Sequence, residues 1–124
     1  MKQVLATEQA PAAIGPYSQG IAAGETVYVS GQLPLDPATG AFPEGIAAQT
    51  AQSLKNIQAI LAQQGMTLAN EVKTTVFLAD INDFAEMNKV YGEFFTQPYP
   101  ARSAVQVAKL PKDAPLEIEC IAVK

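Results

Sequence analysis

A handful of residues in this chain have the types and neighbours that chemistry needs. Arg102 is the only arginine among eight basic residues. A guanidinium fork grips a carboxylate through two parallel hydrogen bonds, which an ammonium cannot match; the alternative is a solvated strand-end arginine. Glu117 and Glu119 stand two apart on one strand and so share a face. A carboxylate there either positions and deprotonates a water or belongs to a hydrated edge or a cross-strand ion pair. Tyr17 follows Gly15-Pro16 and either packs on a strand end or contacts a ligand. Ser30-Gly31 offers a hydroxyl and open backbone at a strand terminus, where the missing side chain points to a bulge or a close ligand approach. Asn88, four after Phe84 and three before Tyr91, edges an apolar helical stripe. It is either a boundary residue or a group aimed into a cleft.

The composition narrows what these residues can do. There is no histidine in the 124 residues, which removes the commonest general base and metal ligand and excludes Ser-His-Asp and Cys-His catalysis. With Cys120 as the one cysteine, neither a cysteine-based zinc site nor an intrachain disulfide is available. No metal or cofactor is expected, and a free thiol fits a reducing cytoplasm. Twelve acidic residues against eight basic ones leave a net charge of −4, a poor footprint for nucleic acid or an anionic membrane. The N-terminus lacks the apolar run of a signal peptide, and no stretch approaches a membrane span.

The elements that must position these residues are punctuated by proline and glycine. Strands are expected over residues 4–6, 21–23 and 26–30, followed by a loop holding Pro34, Pro37 and Pro43. A first helix over 46–64 carries Leu54, Ile57 and Leu61 on one stripe and stops at Gly65. A strand over 71–79 follows, with Val72, Thr74, Val76 and Leu78 on one face. A second helix over about 83–95, capped by Asn82 or Asp80, presents Phe84, Met87, Tyr91, Phe94 and Phe95. Strands over 101–109 and 116–123 close the chain.

The order βββαβαββ predicts one α+β domain over 1–124: a mixed six-stranded sheet with both helices on one face. The other face, expected to carry Val27, Val29, Ile121 and Val123, has nothing in the chain to cover it, which predicts an oligomer. Arg102 and Glu117 each begin one of two oppositely running strands, so a strand length of about 20 Å should separate them. A small ligand reaching both would have to sit between subunits.

Several motifs in one order then carry a resemblance. Ala12-Ala-Ile-Gly-Pro-Tyr17-Ser-Gln-Gly20, Val29-Ser-Gly-Gln-Leu-Pro34, Lys73-Thr-Thr-Val-Phe77, Asp80-Ile-Asn-Asp-Phe84, Pro100-Ala-Arg-Ser103, Leu110-Pro-Lys112 and Ile118-Glu119 span nearly the whole chain. Together they resemble the RidA/YjgF family of reactive-intermediate (enamine/imine) deaminases. The resemblance implies a chorismate-mutase-like fold, a homotrimer around a barrel of three sheets, and clefts between subunits for small 2-imino and 2-keto acids. It implies that Arg102 grips the substrate carboxylate, that Glu117 holds the hydrolytic water, and that Tyr17, Ser30, Gly31 and Asn88 line the cleft. Relatives often carry cysteine two residues after the arginine, where this chain has Ala104, so a thiol-dependent role is not expected. Cys120 has the opposite parity to the two glutamates and should be packed. Thr96-Gln-Pro-Tyr-Pro100 is shorter than in many relatives.

Two readings follow from the resemblance. One is hydrolysis of 2-aminoacrylate-type enamines, through their imines 2-iminobutanoate and 2-iminopropanoate, to 2-keto acids and ammonia. The other is a protein that binds 2-keto acids in the same cleft without turnover. A ribonuclease reading fits poorly with the charge balance.

Overall fold

The computed structural model describes residues 1–124. Six strands, β1 (Lys2–Leu5), β2 (Gly20–Ala23), β3 (Thr26–Gln32), β4 (Glu71–Leu78), β5 (Ala101–Gln106) and β6 (Leu116–Val123), alternate with two helices, α1 (Ile46–Ala62) and α2 (Phe84–Phe94). They form one sheet in the order β1-β2-β3-β6-β4-β5, antiparallel throughout except for the β4–β5 pair. β6 is inserted between β3 and β4, so the α1 crossover joins two parallel strands that do not touch. The expected βββαβαββ order and mixed sheet are observed. Strand ends differ: β1 begins two residues earlier than expected, and β5 stops at Gln106.

α1 lies across β3 and β6 because its apolar stripe has no other place to go. Leu54, Ile57, Ile60 and Leu61 are fully buried, each contributing about 1.5–3 kcal/mol relative to exposure. Gly20 on β2 lets the helix come this close, since a Cβ there would stand 2.8 Å from Ile60 Cγ2. Two polar groups on the buried face are engaged, while the Ser53 hydroxyl has no partner. Thr50 Oγ1 donates to Ile46 O, and Asn56 Nδ2 donates to Leu33 O and Leu35 O. Asn56 thereby ties the proline-bearing loop to the helix. A 3₁₀ turn over Ile81–Asp83 precedes α2, and Asp80 Oδ1 accepts from Asn82 N to cap that turn.

Two expectations about sheet faces are corrected. Val27 and Val29 pair with Ala122 and Cys120, whereas Tyr28 pairs with Ile121. Directly paired residues point to the same side, so Val27 and Val29 lie in the core under α1 and not beside Ile121 and Val123. In β4 the register slips between Glu71 and Lys73, and this bulge turns Val72 outward while Glu71 takes the inward position. The uncovered face is still partly apolar, but its members are Tyr28, Phe77, Val105, Ile121 and Val123.

Glu71 is the anomaly of the core. It is 5% exposed, and neither carboxyl oxygen has a well-formed hydrogen bond. Burial lifts its pKa from 4.5 to about 7, and the weak donor Cys120 Sγ offsets only part of that rise. The folded state therefore holds a proton that the unfolded chain has released between these two values. Stability from this group is complete below pH 4.5 and is lost as pH rises through about 7. Glu71→Leu removes that dependence and should stabilise the protein by about 3 kcal/mol at pH 8, with little gain at pH 4. Urea unfolding of both proteins at the two pH values checks this.

Candidate active site: two half-sites on one subunit

A cleft of about 700 Å³ opens between the loop after β1, the end of β3, the turn over Pro111–Asp113 and the start of β6. A bulge shapes its floor. Val29 pairs with Cys120 and Gln32 with Ile118, so Ser30 and Gly31 together stand opposite Glu119. Ser30 is held by its backbone N–H to Gln19 O (2.9 Å) and by its hydroxyl, which donates to Ser18 O (2.5 Å). Its hydroxyl proton is committed, leaving an acceptor oxygen toward the cleft. Gly31 has no room for a side chain: a Cβ would lie 2.6 Å from Glu117 Cδ.

Glu117 is half-buried beside this glycine, and Tyr17 stands exposed on the opposite wall. The Glu117 carboxyl is pushed above the usual carboxylate range, first by burial and then by the negative charge of Glu119. The four cleft residues expected from the sequence on this side, Tyr17, Ser30, Gly31 and Glu117, therefore meet in one place. Two others were not anticipated. Gln19 is 4% exposed, and its side-chain amide joins Thr7 N, Thr7 O, Ala10 O and Pro11 O, fastening the loop that forms the wall. Lys112 brings a cation to the rim from a turn in which it and Asp113 both have left-handed backbone, φ 59° and 54°. The Tyr17-Ser-Gln-Gly20 and Leu110-Pro-Lys112 motifs held the only signal for them.

Arg102 and Asn88 form a second cluster elsewhere. Arg102 pairs with Thr74 on β4, so its side chain rises on the helix side of the sheet. Its Nη1 donates to Asn88 Oδ1 at 2.7 Å, and its guanidinium lies 4.7 Å from the Tyr91 ring centre and 5.5 Å from that of Phe84. Its other N–H groups have no protein partner. Glu117 pairs with Phe77 on the same β4. Arg102 and Glu117 are thus offset by three register positions, about 10 Å along the strands, and not by the full strand length expected. The stagger across β4 accounts for the difference. Three positions is an odd number, so the two residues sit on opposite faces of the sheet, and one subunit does not bring them to one small ligand.

Ala104 packs against the core from β5, and Cys120 is 3% exposed with its thiol pushed far up by burial and by Glu71. Neither position presents a reactive sulfur to the cleft. No three of the His, Cys, Asp and Glu residues come together to hold a metal ion, and no helix is long and apolar enough to cross a membrane.

Residues 7–124 match the family model described as endoribonuclease L-PSP. The chain is 54% identical to the 2-iminobutanoate/2-iminopropanoate deaminase of Salmonella typhimurium, covering 100% of this chain and 99% of that protein. Among solved structures, the YjgF gene product of Escherichia coli superposes with a TM-score of 0.95 at 52% identity, covering 98% of each chain. TdcF of Escherichia coli with bound serine gives 0.95 at 48% identity, again over 98% of each. The matched fold, the motifs of the cleft and these full-length identities agree: this chain belongs to the endoribonuclease L-PSP family, which is the RidA/YjgF family.

Proposed function

We propose that the protein hydrolyses short 2-imino acids such as 2-iminobutanoate and 2-iminopropanoate, together with their enamine tautomers, to 2-keto acids and ammonia. It does so in the cytoplasm, in sites completed between the subunits of a homotrimer. One observation supports the shared site: the one arginine, Arg102, and the half-buried carboxyl of Glu117 lie on opposite faces of the same sheet. The Salmonella typhimurium relative, a 2-iminobutanoate/2-iminopropanoate deaminase 54% identical over the whole chain, supports the reaction.

The chemistry asks little of the protein. A protonated imine carbon is already electrophilic, so the tasks are to orient the substrate, deliver water and move protons. Arg102 from one subunit takes the substrate carboxylate through its free N–H groups, with Asn88 fixing the fork. Glu117 of the neighbouring subunit accepts a proton from water as the water oxygen bonds to the imine carbon. Glu117 returns that proton to the carbinolamine nitrogen; ammonia then leaves with the C–N bonding pair, while the hydroxyl gives its proton to the Glu117 carboxylate and the C–O bond becomes the keto group. Partial burial suits Glu117 to this work, because a carboxyl raised toward neutrality is a better matched base than an exposed one. The Ser30 oxygen and the backbone at Gly31 lie beside that water and face the departing nitrogen. A role confined to binding 2-keto acids has no use for such a base.

Four measurements test this reading. With imine generated in situ by a serine or threonine dehydratase, the protein should accelerate keto-acid release. Glu117→Gln should lose about 100-fold or more, and Arg102→Ala about 10- to 100-fold. Refolding an equal mixture of the two inactive variants should restore about a quarter of the sites, because a head-to-tail interface then pairs an intact arginine with an intact glutamate. No recovery would overturn the shared site. Native mass measurement should give three times the 13.1 kDa chain. Gly31→Ala should leave the melting temperature within a few degrees, because the flexible Glu117 side chain can swing away. That displacement should still lower kcat about tenfold or more.

A further inference from the structure

The guanidinium of Arg102 is long-stemmed, stands on the last strand of the sheet and makes a single hydrogen bond within the chain. What holds it is a stack. Tyr91 lies beneath it at 4.7 Å, and that ring is fixed on two sides. Its hydroxyl shares a 2.7 Å hydrogen bond with Thr74 Oγ1, and its face meets the Phe95 ring at 4.5 Å between centres. Thr74 is fully buried and is also the β4 residue directly paired with Arg102. One rung of the sheet therefore sets both the arginine backbone and the depth of the ring below its side chain. Phe84, Asn88 and Tyr91 follow the i, i+4, i+7 spacing that lines up one face of α2, and all three contact Arg102.

We propose that Tyr91 is a positioning residue whose ring holds Arg102 flat for carboxylate recognition. The proposal rests on the reading that Arg102 receives the substrate carboxylate. The ring's negative face attracts the cation and blocks its collapse onto the sheet, while Asn88 stops rotation within the guanidinium plane. The remaining N–H groups of the fork have no partner in the chain, which leaves them to a bidentate carboxylate. Burial pushes the Tyr91 phenol above its ordinary value, so the ring stays neutral and never becomes a counter-ion competing with substrate.

The test measures affinity for 2-ketobutyrate against its carboxamide by titration calorimetry on trimeric, folded protein. Wild type should prefer the carboxylate, and Arg102→Ala should abolish the preference; its persistence there would overturn the clamp itself. With the clamp upheld, Tyr91→Met should reduce the preference about tenfold, while Tyr91→Phe should keep it within about threefold. In the Arg102→Ala background, Tyr91→Met should have no further effect on the preference. Should the methionine variant not fold, 3,4,5-trifluorophenylalanine at position 91 keeps the shape of phenylalanine and weakens only the ring's quadrupole. It should lower the preference several-fold relative to Tyr91→Phe. An unchanged preference in the folded methionine variant, or in the fluorinated one, would overturn the positioning role and leave the clamp standing.

Discussion

A strand shows its side chains alternately to two faces, and in this chain only one face of the sheet has helices to lie under. The rest of the molecule follows from that asymmetry. Leu116, Ile118, Cys120 and Ala122 form the inward set of β6 and are buried, which obliges Glu117 and Glu119 to face the other way. The same parity on β4 sends Thr74 inward, and its rung partner Arg102 goes with it. The two groups assigned to the proposed reaction are thus parted by the pleat itself. In the proposed homotrimer a second copy of the chain would both cover the bare face and return the missing half of the site, giving folding, assembly and function one cause.

Three glutamates show how the same side chain is set to different tasks without a histidine in the chain. Glu119 is exposed and acts mainly through its charge on its neighbour. Glu117 is half-buried, raised by desolvation and then by that charge. Glu71, wholly inside, is raised to about 7, and only the weak donor Cys120 Sγ offsets part of that rise. Depth in the fold thus does much of what a choice of residue type does elsewhere. Glu71 gains nothing for the site described here and lowers stability at neutral pH.

Periodicity made most of the elements legible in advance, because Leu54, Ile57 and Leu61 can satisfy their burial only as one side of a helix. Parity along β6 separated Glu117 and Glu119 from Cys120 for the same reason. What parity does not reveal is how one strand aligns with another. Val27 and Val29 were assigned to the wrong face because the alternation of β3 says nothing of its register on β6. The bulge at Glu71–Lys73 was equally hidden, as a polar residue at a strand's start gives no sign of pointing inward. The Arg102–Glu117 offset was overestimated for want of the stagger across β4. Tyr91 was legible only as a core stripe residue; that its upper face carries a cation is a fact of the third dimension.

Gln19 has a consequence for how such a protein can change over generations. Its amide meets only main-chain atoms of Thr7, Ala10 and Pro11, never their side chains. The anchoring of the cleft wall is therefore blind to the identity of the residues it secures. Ala12 and Ile14, which face the cleft from that wall, are free to be exchanged for larger or more polar residues without loosening it. The fold thus leaves part of one side of the cleft as an interchangeable panel, whose lining single substitutions can alter without disturbing the strands beneath.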